Sequence, residues 1–217
     1  MSFDYAPIDY LFNETKDRGD TEGSTKYDQV MTDVKSLLAK YPDHKIYLTG
    51  HSLGAALSSV AAFYFACDPD LPKPVTCINF ASPRSSGWNA FLAYQYLEQT
   101  KQLRMIRSVN ENDSVTTLPS FGYHHVGFQV TAYEDGWFFN AGPPDIVYRN
   151  LNDDVFTRTR KSWGNNFLTN LNVGYDHGGY IQRIEAAKEY LKKDSLNALY
   201  MDETIVGYKL KDPESLA

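Results

Sequence analysis

The sequence predicts an α/β fold with a mostly parallel central sheet and helices on both faces. Three observations predict it. Short apolar, β-rich runs occur at residues 45–49, 75–81 and 103–109, segments of helical periodicity separate them, and those segments are long enough for right-handed crossovers between parallel strands. The chain has 217 residues, a length that fits one domain with a sizeable core. Hydrophobic residues make up 42% and charged residues 22%, which excludes wholesale disorder.

The elements follow in order. Residues 1–25 are polar apart from short islands such as Tyr10-Leu11-Phe12 and are expected as an arm or loop. Tyr27, Val30, Met31, Val34, Leu37, Leu38 and Tyr41 recur every three or four positions, the stripe of an amphipathic helix that Pro42 stops. The strand at 45–49 feeds Gly50-His51-Ser52-Leu53-Gly54, and residues 55–66 follow as a buried helix of small residues. A loop over 68–74 leads to the strand at 75–81, ended by Pro83. Residues 88–99 are helical in pattern and 103–109 form the next strand. Residues 125–133 and the cluster Trp137-Phe138-Phe139 are expected as antiparallel edge strands, whereas 140–172 is polar and carries no pattern. Tyr180, Ile181, Ile184, Ala187, Tyr190 and Leu191 define a last long helix, and 204–210 is expected as a terminal strand.

Charge and cysteine content narrow the function. The net charge of −6 argues against a phosphate-neutralising surface, so nucleic acid is not an expected partner. Cys67 and Cys77 are too few for a disulfide framework or a zinc set and are expected as buried thiols. No metal-ligand spacing such as H-E-x-x-H occurs, and no cofactor is expected. Neither an export signal nor an 18-residue apolar span is visible in the sequence, and the compartment stays open.

Gly50-His51-Ser52-Leu53-Gly54 matches G-x-S-x-G and lies between a strand and a helix, the setting of a nucleophile elbow. The turn is so tight that residues two before and two after the serine are expected to be glycine or very small. Ser52 would then sit at a helix N-terminus, with the Leu53 backbone N–H facing developing negative charge. A serine hydroxyl needs a histidine to take its proton and an acid to orient that histidine. In α/β-hydrolases the chain order is serine, acid, histidine, which Asp113 and His177 satisfy. Asp113 follows the strand at 103–109; Glu111 is the reserve acid, and a solvated Asx turn is the plain alternative. His177 precedes the last helix. His124 and His125 rank second as the base, while His44 lies at the wrong edge of the sheet and His51 is expected to point away from the hydroxyl. Asp176 is expected to cap the following helix.

These motifs resemble those of the class 3, or fungal-type, lipases, which are α/β-hydrolases acting on acyl esters. Thr49-Gly50-His51-Ser52-Leu53-Gly54-Ala55-Ala56-Leu57 is similar to the family's T-G-H-S-L-G-G-A-L, and Asn79 to Arg84 resembles its strand ending in G-S-P-R. The run Arg107 to Asp113, continuing to Leu118-Pro119, resembles R-V-V-N-x-x-D-x-V-x-x-L-P and implies Asp113 as the triad acid. His125-Val126-Gly127 matches a segment that is structural in the family, and Asp176-His177 resembles the D-H pair that implies His177 as the base. The resemblance covers about residues 27–193, with 1–25 as arm and 194–217 as extension of a single domain.

Two departures stand out. Ala55 replaces a usual glycine, a change a helix tolerates. The family's F-R-G-T-like turn, which supplies a second oxyanion donor, and its lid have no counterpart before Tyr27, so an N-terminally shortened domain with its second donor unidentified is expected. The resemblance implies a serine hydrolase of acylglycerol or other lipid carboxylic esters, touching a lipid interface transiently. The alternative is a truncated or inactive lipase-like domain with a binding or partner role. The sequence leaves oligomeric state open. Aromatics such as Phe121 are expected to serve packing before they serve an acyl pocket.

Overall fold

The computed structural model describes residues 5–14, 23–110, 113–119, 121–132, 145–148, 177–192 and 195–206. The elements are α1 (Tyr5–Phe12), α2 (Lys26–Lys40), β1 (Tyr47–His51), α3 (Leu53–Cys67), β2 (Val75–Phe80), α4 (Trp88–Gln99), β3 (Leu103–Asn110), a 3₁₀ turn (Ser114–Thr117), β4 (Phe128–Ala132), β5 (Asp145–Tyr148), α5 (Tyr180–Leu191), α6 (Leu196–Met201) and α7 (Glu203–Val206). The five strands lie in the order β1-β2-β3-β4-β5. The first four run parallel and β5 is antiparallel.

Strand alternation divides the core. Val75 and Cys77 of β2 and Leu103 and Met105 of β3 join Val60, Phe63 and Phe65 of α3 and Phe91, Tyr94 and Leu97 of α4 on one face. The opposite face carries a smaller cluster in which Phe128, Tyr200 and Val206 pack with Ile106. Each large apolar side chain buried in this way contributes about 1.5–3 kcal/mol. No helix among the described residues is long and apolar enough to cross a membrane.

The expectations for β1, β2, β3, α3 and α4 agree with the structure to within two residues at each boundary, and three others need correcting. The arm over 1–25 holds a helix: α1 places Leu11 in the core and stacks Phe12 against Tyr27 and Tyr64. The amphipathic helix forms as α2, held by a capping box between Thr25 and Asp28 worth about 1 kcal/mol. Its stripe is only half covered, however, and Val30 and Leu37 face solvent. β4 pairs parallel with β3 rather than as an antiparallel edge. At the far end, Glu203–Val206 is a short helix where a strand over 204–210 is expected, because Val206 turns inward onto Phe128 and Tyr200. Residues 137–139 and 207–210 lie outside the described residues.

Candidate active site

The elbow is strained in the way a nucleophile turn requires. Ser52 has φ 56° and ψ −125°, a region that side chains avoid at a cost of about 1–3 kcal/mol. Two constraints hold it there. Its N–H donates to the Phe80 carbonyl at 3.1 Å, extending the β1–β2 ladder into the turn, and α3 begins at the next residue. A Cβ on Gly50 would lie 2.1 Å from the Gly54 carbonyl oxygen, so only glycine fits there. The expectation fails at Gly54, where an added Cβ meets nothing within 4 Å. Ala55 is fully buried, and its carbonyl accepts from Ser58, Ser59 and Asn79.

Three residues far apart in sequence converge beyond the carboxyl ends of β1 and β3. His177 Nε2 lies 2.9 Å from Ser52 Oγ, and its Nδ1 lies 3.1 Å from Asp113 Oδ2. Those bonds fix the tautomer: Nδ1–H donates to the carboxylate and the Nε2 lone pair faces the serine hydroxyl. The Asp113 side chain is fully buried, whereas the His177 side chain retains 23% exposure.

A buried carboxylate demands hydrogen bonds, and Asp113 has them. Oδ1 accepts from the Val115 N–H at 3.0 Å, which makes Asp113 the cap of the 3₁₀ turn. Oδ2 also accepts from the Tyr180 hydroxyl at 2.7 Å, and Tyr180 Oη in turn accepts the Asn110 N–H at 3.1 Å. Burial first, then the Asp113 charge, pushes the Tyr180 hydroxyl far above the ordinary phenol range, so it remains a donor. The sequence reading missed Tyr180. Its signal was a tyrosine, rather than a phenylalanine or leucine, on the apolar face three residues after His177.

The remaining candidates fall away from the reacting atoms. His125 is buried and its Nε2 donates to the Thr116 carbonyl behind Asp113, which supports the turn. His124 packs against Trp88 and Phe91, and burial followed by the Arg84 charge holds its pKa below the ordinary range. His44 packs on Tyr41 before β1. Glu111 and Asp176 lie outside the described residues. Arg84 joins two motifs, since its guanidinium donates to the Thr117 and Pro119 carbonyls. The Leu53 N–H has no acceptor within α3, as the N-terminal position dictates, and Ser52 supplies no side-chain cap. Among the described residues no group of three His, Cys, Asp or Glu side chains could hold a metal ion. Phe121 is 72% exposed, so it packs into no core.

Comparison with known proteins agrees with the motifs. Over 110 residues the chain is 36% identical to phospholipase A1-IIgamma of Arabidopsis thaliana, covering 46% of this chain and 26% of that protein. It is 38% identical over 69 residues to a secreted alkaline triacylglycerol lipase of Penicillium cyclopium, covering 31% of this chain and 24% of the relative. The chain thus spans about a quarter of the length of these relatives. Among solved structures, lipase II from Rhizopus niveus is similar at 27% identity and a TM-score of 0.42, over 48% of this chain and 41% of that one. Residues 10–123, more than half of the chain and the stretch bearing both Ser52 and Asp113, match the family described as Lipase (class 3). With the elbow, the parallel sheet and this match in agreement, the chain belongs to the class 3 lipase family of the α/β-hydrolase superfamily.

Proposed function

We propose that this chain is a serine hydrolase of lipid carboxylic esters, with Ser52 as nucleophile, His177 as general base and Asp113 as the acid that orients it. The observation that carries the reading is the unbroken run of hydrogen bonds from Ser52 Oγ through His177 to Asp113. Ser52 Oγ attacks the ester carbonyl carbon while His177 Nε2 takes the hydroxyl proton, and the tetrahedral oxyanion accepts the Leu53 N–H. The alcohol departs with the proton from Nε2 and leaves an acyl-serine. Water repeats the sequence, releases the fatty acid and regenerates Ser52. Asp113 stabilises the imidazolium formed in each half-reaction.

The class of substrate is supported by the two relatives, whose names record a phospholipase A1 and a triacylglycerol lipase. Transient contact with a lipid interface is supported by Leu53, Leu118, Phe121 and Ile181, which expose apolar side chains on the elbow, the Asp113 turn and α5. The test is labelling of the purified chain with a fluorophosphonate and mapping of the modified peptide. Labelling at Ser52 that disappears in Ser52→Ala and His177→Ala is the expected result. A folded chain that takes no label would favour the alternative, a lipase-like domain with a binding or partner role.

A further inference from the structure

His51 belongs to the elbow and is expected to point away from the hydroxyl, yet its ring is turned toward His177. His51 Nε2 lies 2.7 Å from the carbonyl oxygen of His177, across 126 residues of chain. A carbonyl can only accept, so Nε2 carries the proton and donates. The two imidazole rings are 4.7 Å apart, and the Tyr180 ring meets His51 edge-on at 5.7 Å. Both ends of the hydrogen bond between His51 and His177 are anchored. His51 is the last residue of β1, paired in register with Phe80, and its neighbour Ser52 is bonded to the same Phe80. His177 leads into α5, which Tyr180 fastens to Asp113 and Asn110.

We propose that His51 is a positioning residue for the triad: by holding the His177 carbonyl, it makes the strand end that carries the nucleophile also fix the backbone of the base. The proposal rests on the reading of Ser52 and His177 given above. Asp113 and Ser52 hydrogen-bond the ring nitrogens of His177, and those bonds set its tilt but not where its backbone stands. A ring on an unfastened backbone can keep one of those two bonds while losing the other. The His51 bond removes that freedom, because the base cannot withdraw from Ser52 without breaking it. His51 is itself exposed, so its side chain adds little to the core and its replacement is expected to leave folding intact.

The experiment compares the full chain with His51→Phe and His51→Ala, which lack the donor, and His51→Gln, which can supply one from its amide. Three quantities are read: the rate of fluorophosphonate labelling of Ser52, the low-field proton signal of His177 Nδ1–H, and the melting temperature. Displacement of a reacting group by about 1 Å can cost about 100-fold. The expected result is slowing by about 10- to 100-fold with a weakened or lost low-field proton in Phe and Ala, substantial recovery of both in Gln, and similar melting temperatures throughout. Labelling at the unsubstituted rate together with an unchanged proton signal in both Phe and Ala would overturn the proposal. If the unsubstituted chain shows the proton but takes no label, the hydrolase reading fails, and the proton signals of the variants still decide the role of His51. If the unsubstituted chain shows no such proton, the histidine–aspartate pair is not formed and both readings fall.

Discussion

The two ends of β3 are built alike and differ in one partner. At the amino end the Met105 N–H, one residue before pairing with β4 begins, donates to Tyr200 Oη at 2.7 Å, and Tyr200 donates to the buried Glu98 carboxylate. At the carboxyl end the Asn110 N–H, the last residue of that pairing, donates to Tyr180 Oη, and Tyr180 donates to the buried Asp113 carboxylate. In both places a tyrosine from a C-terminal helix accepts a strand N–H and passes a hydrogen bond to an acid. Asp113 also faces a histidine. Stabilising a buried carboxylate thus recurs at both ends of β3, and under the proposed function it serves chemistry where loops beyond the carboxyl edge bring a histidine to the acid. Glu98 lies at the other edge, by Lys101 and Arg104, and no serine, cysteine or histidine is among the described residues that line that pocket with it.

Substitutions can break this comparison, beginning with the acids. Asp113→Asn should lower labelling and ester hydrolysis by about 10⁴-fold, because an amide does not hold the productive tautomer of His177. Glu98→Gln should leave the labelling rate unchanged and lower the melting temperature, at about 1–3 kcal/mol for a disturbed buried hydrogen bond. Equal losses of activity from the two would show that the comparison is wrong.

The tyrosines sharpen it. Tyr180→Phe removes one donor from Asp113 and frees the carboxylate to turn away from His177. Labelling of Ser52 should therefore slow by about tenfold, the scale of one charged hydrogen bond of about 1.5 kcal/mol. Tyr200→Phe should lower the melting temperature by a comparable free energy and leave the labelling rate in place. A labelling rate unchanged in both would reduce Tyr180 to a packing residue.

The smallest expected effect separates titration in the core from titration at the site. Burial pushes the Cys77 thiol up to about 12 from the ordinary 9.0. The unfolded thiol ionises first, so the stability this group contributes is present below pH 9.0 and is lost as pH rises toward about 12. Urea midpoints should fall over that window, and Cys77→Ala should flatten the slope without altering the labelling of Ser52.

β1, β2, β3, α3 and the elbow were legible because their patterns are local: a run of five to eight mostly apolar residues, a helix of small residues, two glycines about a serine, whereas β5 lies in a stretch that carries no pattern. The direction of β4 was not legible either. Its connection from β3 contains a 3₁₀ turn and loop rather than a helix, so nothing in the spacing announced a crossover. The exposure of Val30 and Leu37 was hidden for a related reason, since periodicity defines an apolar face without saying what covers it. At the candidate site, Ser52, Asp113 and His177 were singled out by motif and chain order and the structure brings them together, whereas Tyr180 and His51 were not singled out. A tyrosine on an apolar helix face reads as core, and a histidine beside the elbow serine reads as spent; both make their contacts to the site with partners 67 and 126 residues away.

The positive φ of Ser52 has a further consequence. Glycine is at ease in that conformation where serine is not, so Ser52→Gly should abolish labelling and yet leave the protein as stable as before or more so. The strain released, about 1–3 kcal/mol, outweighs or matches the roughly 0.5–1 kcal/mol that glycine's extra freedom in the unfolded chain would take back. Selection for stability alone would therefore not keep a serine at this turn. Under the proposed function, a hydroxyl held where the backbone would rather have none is robustness given up for reactivity.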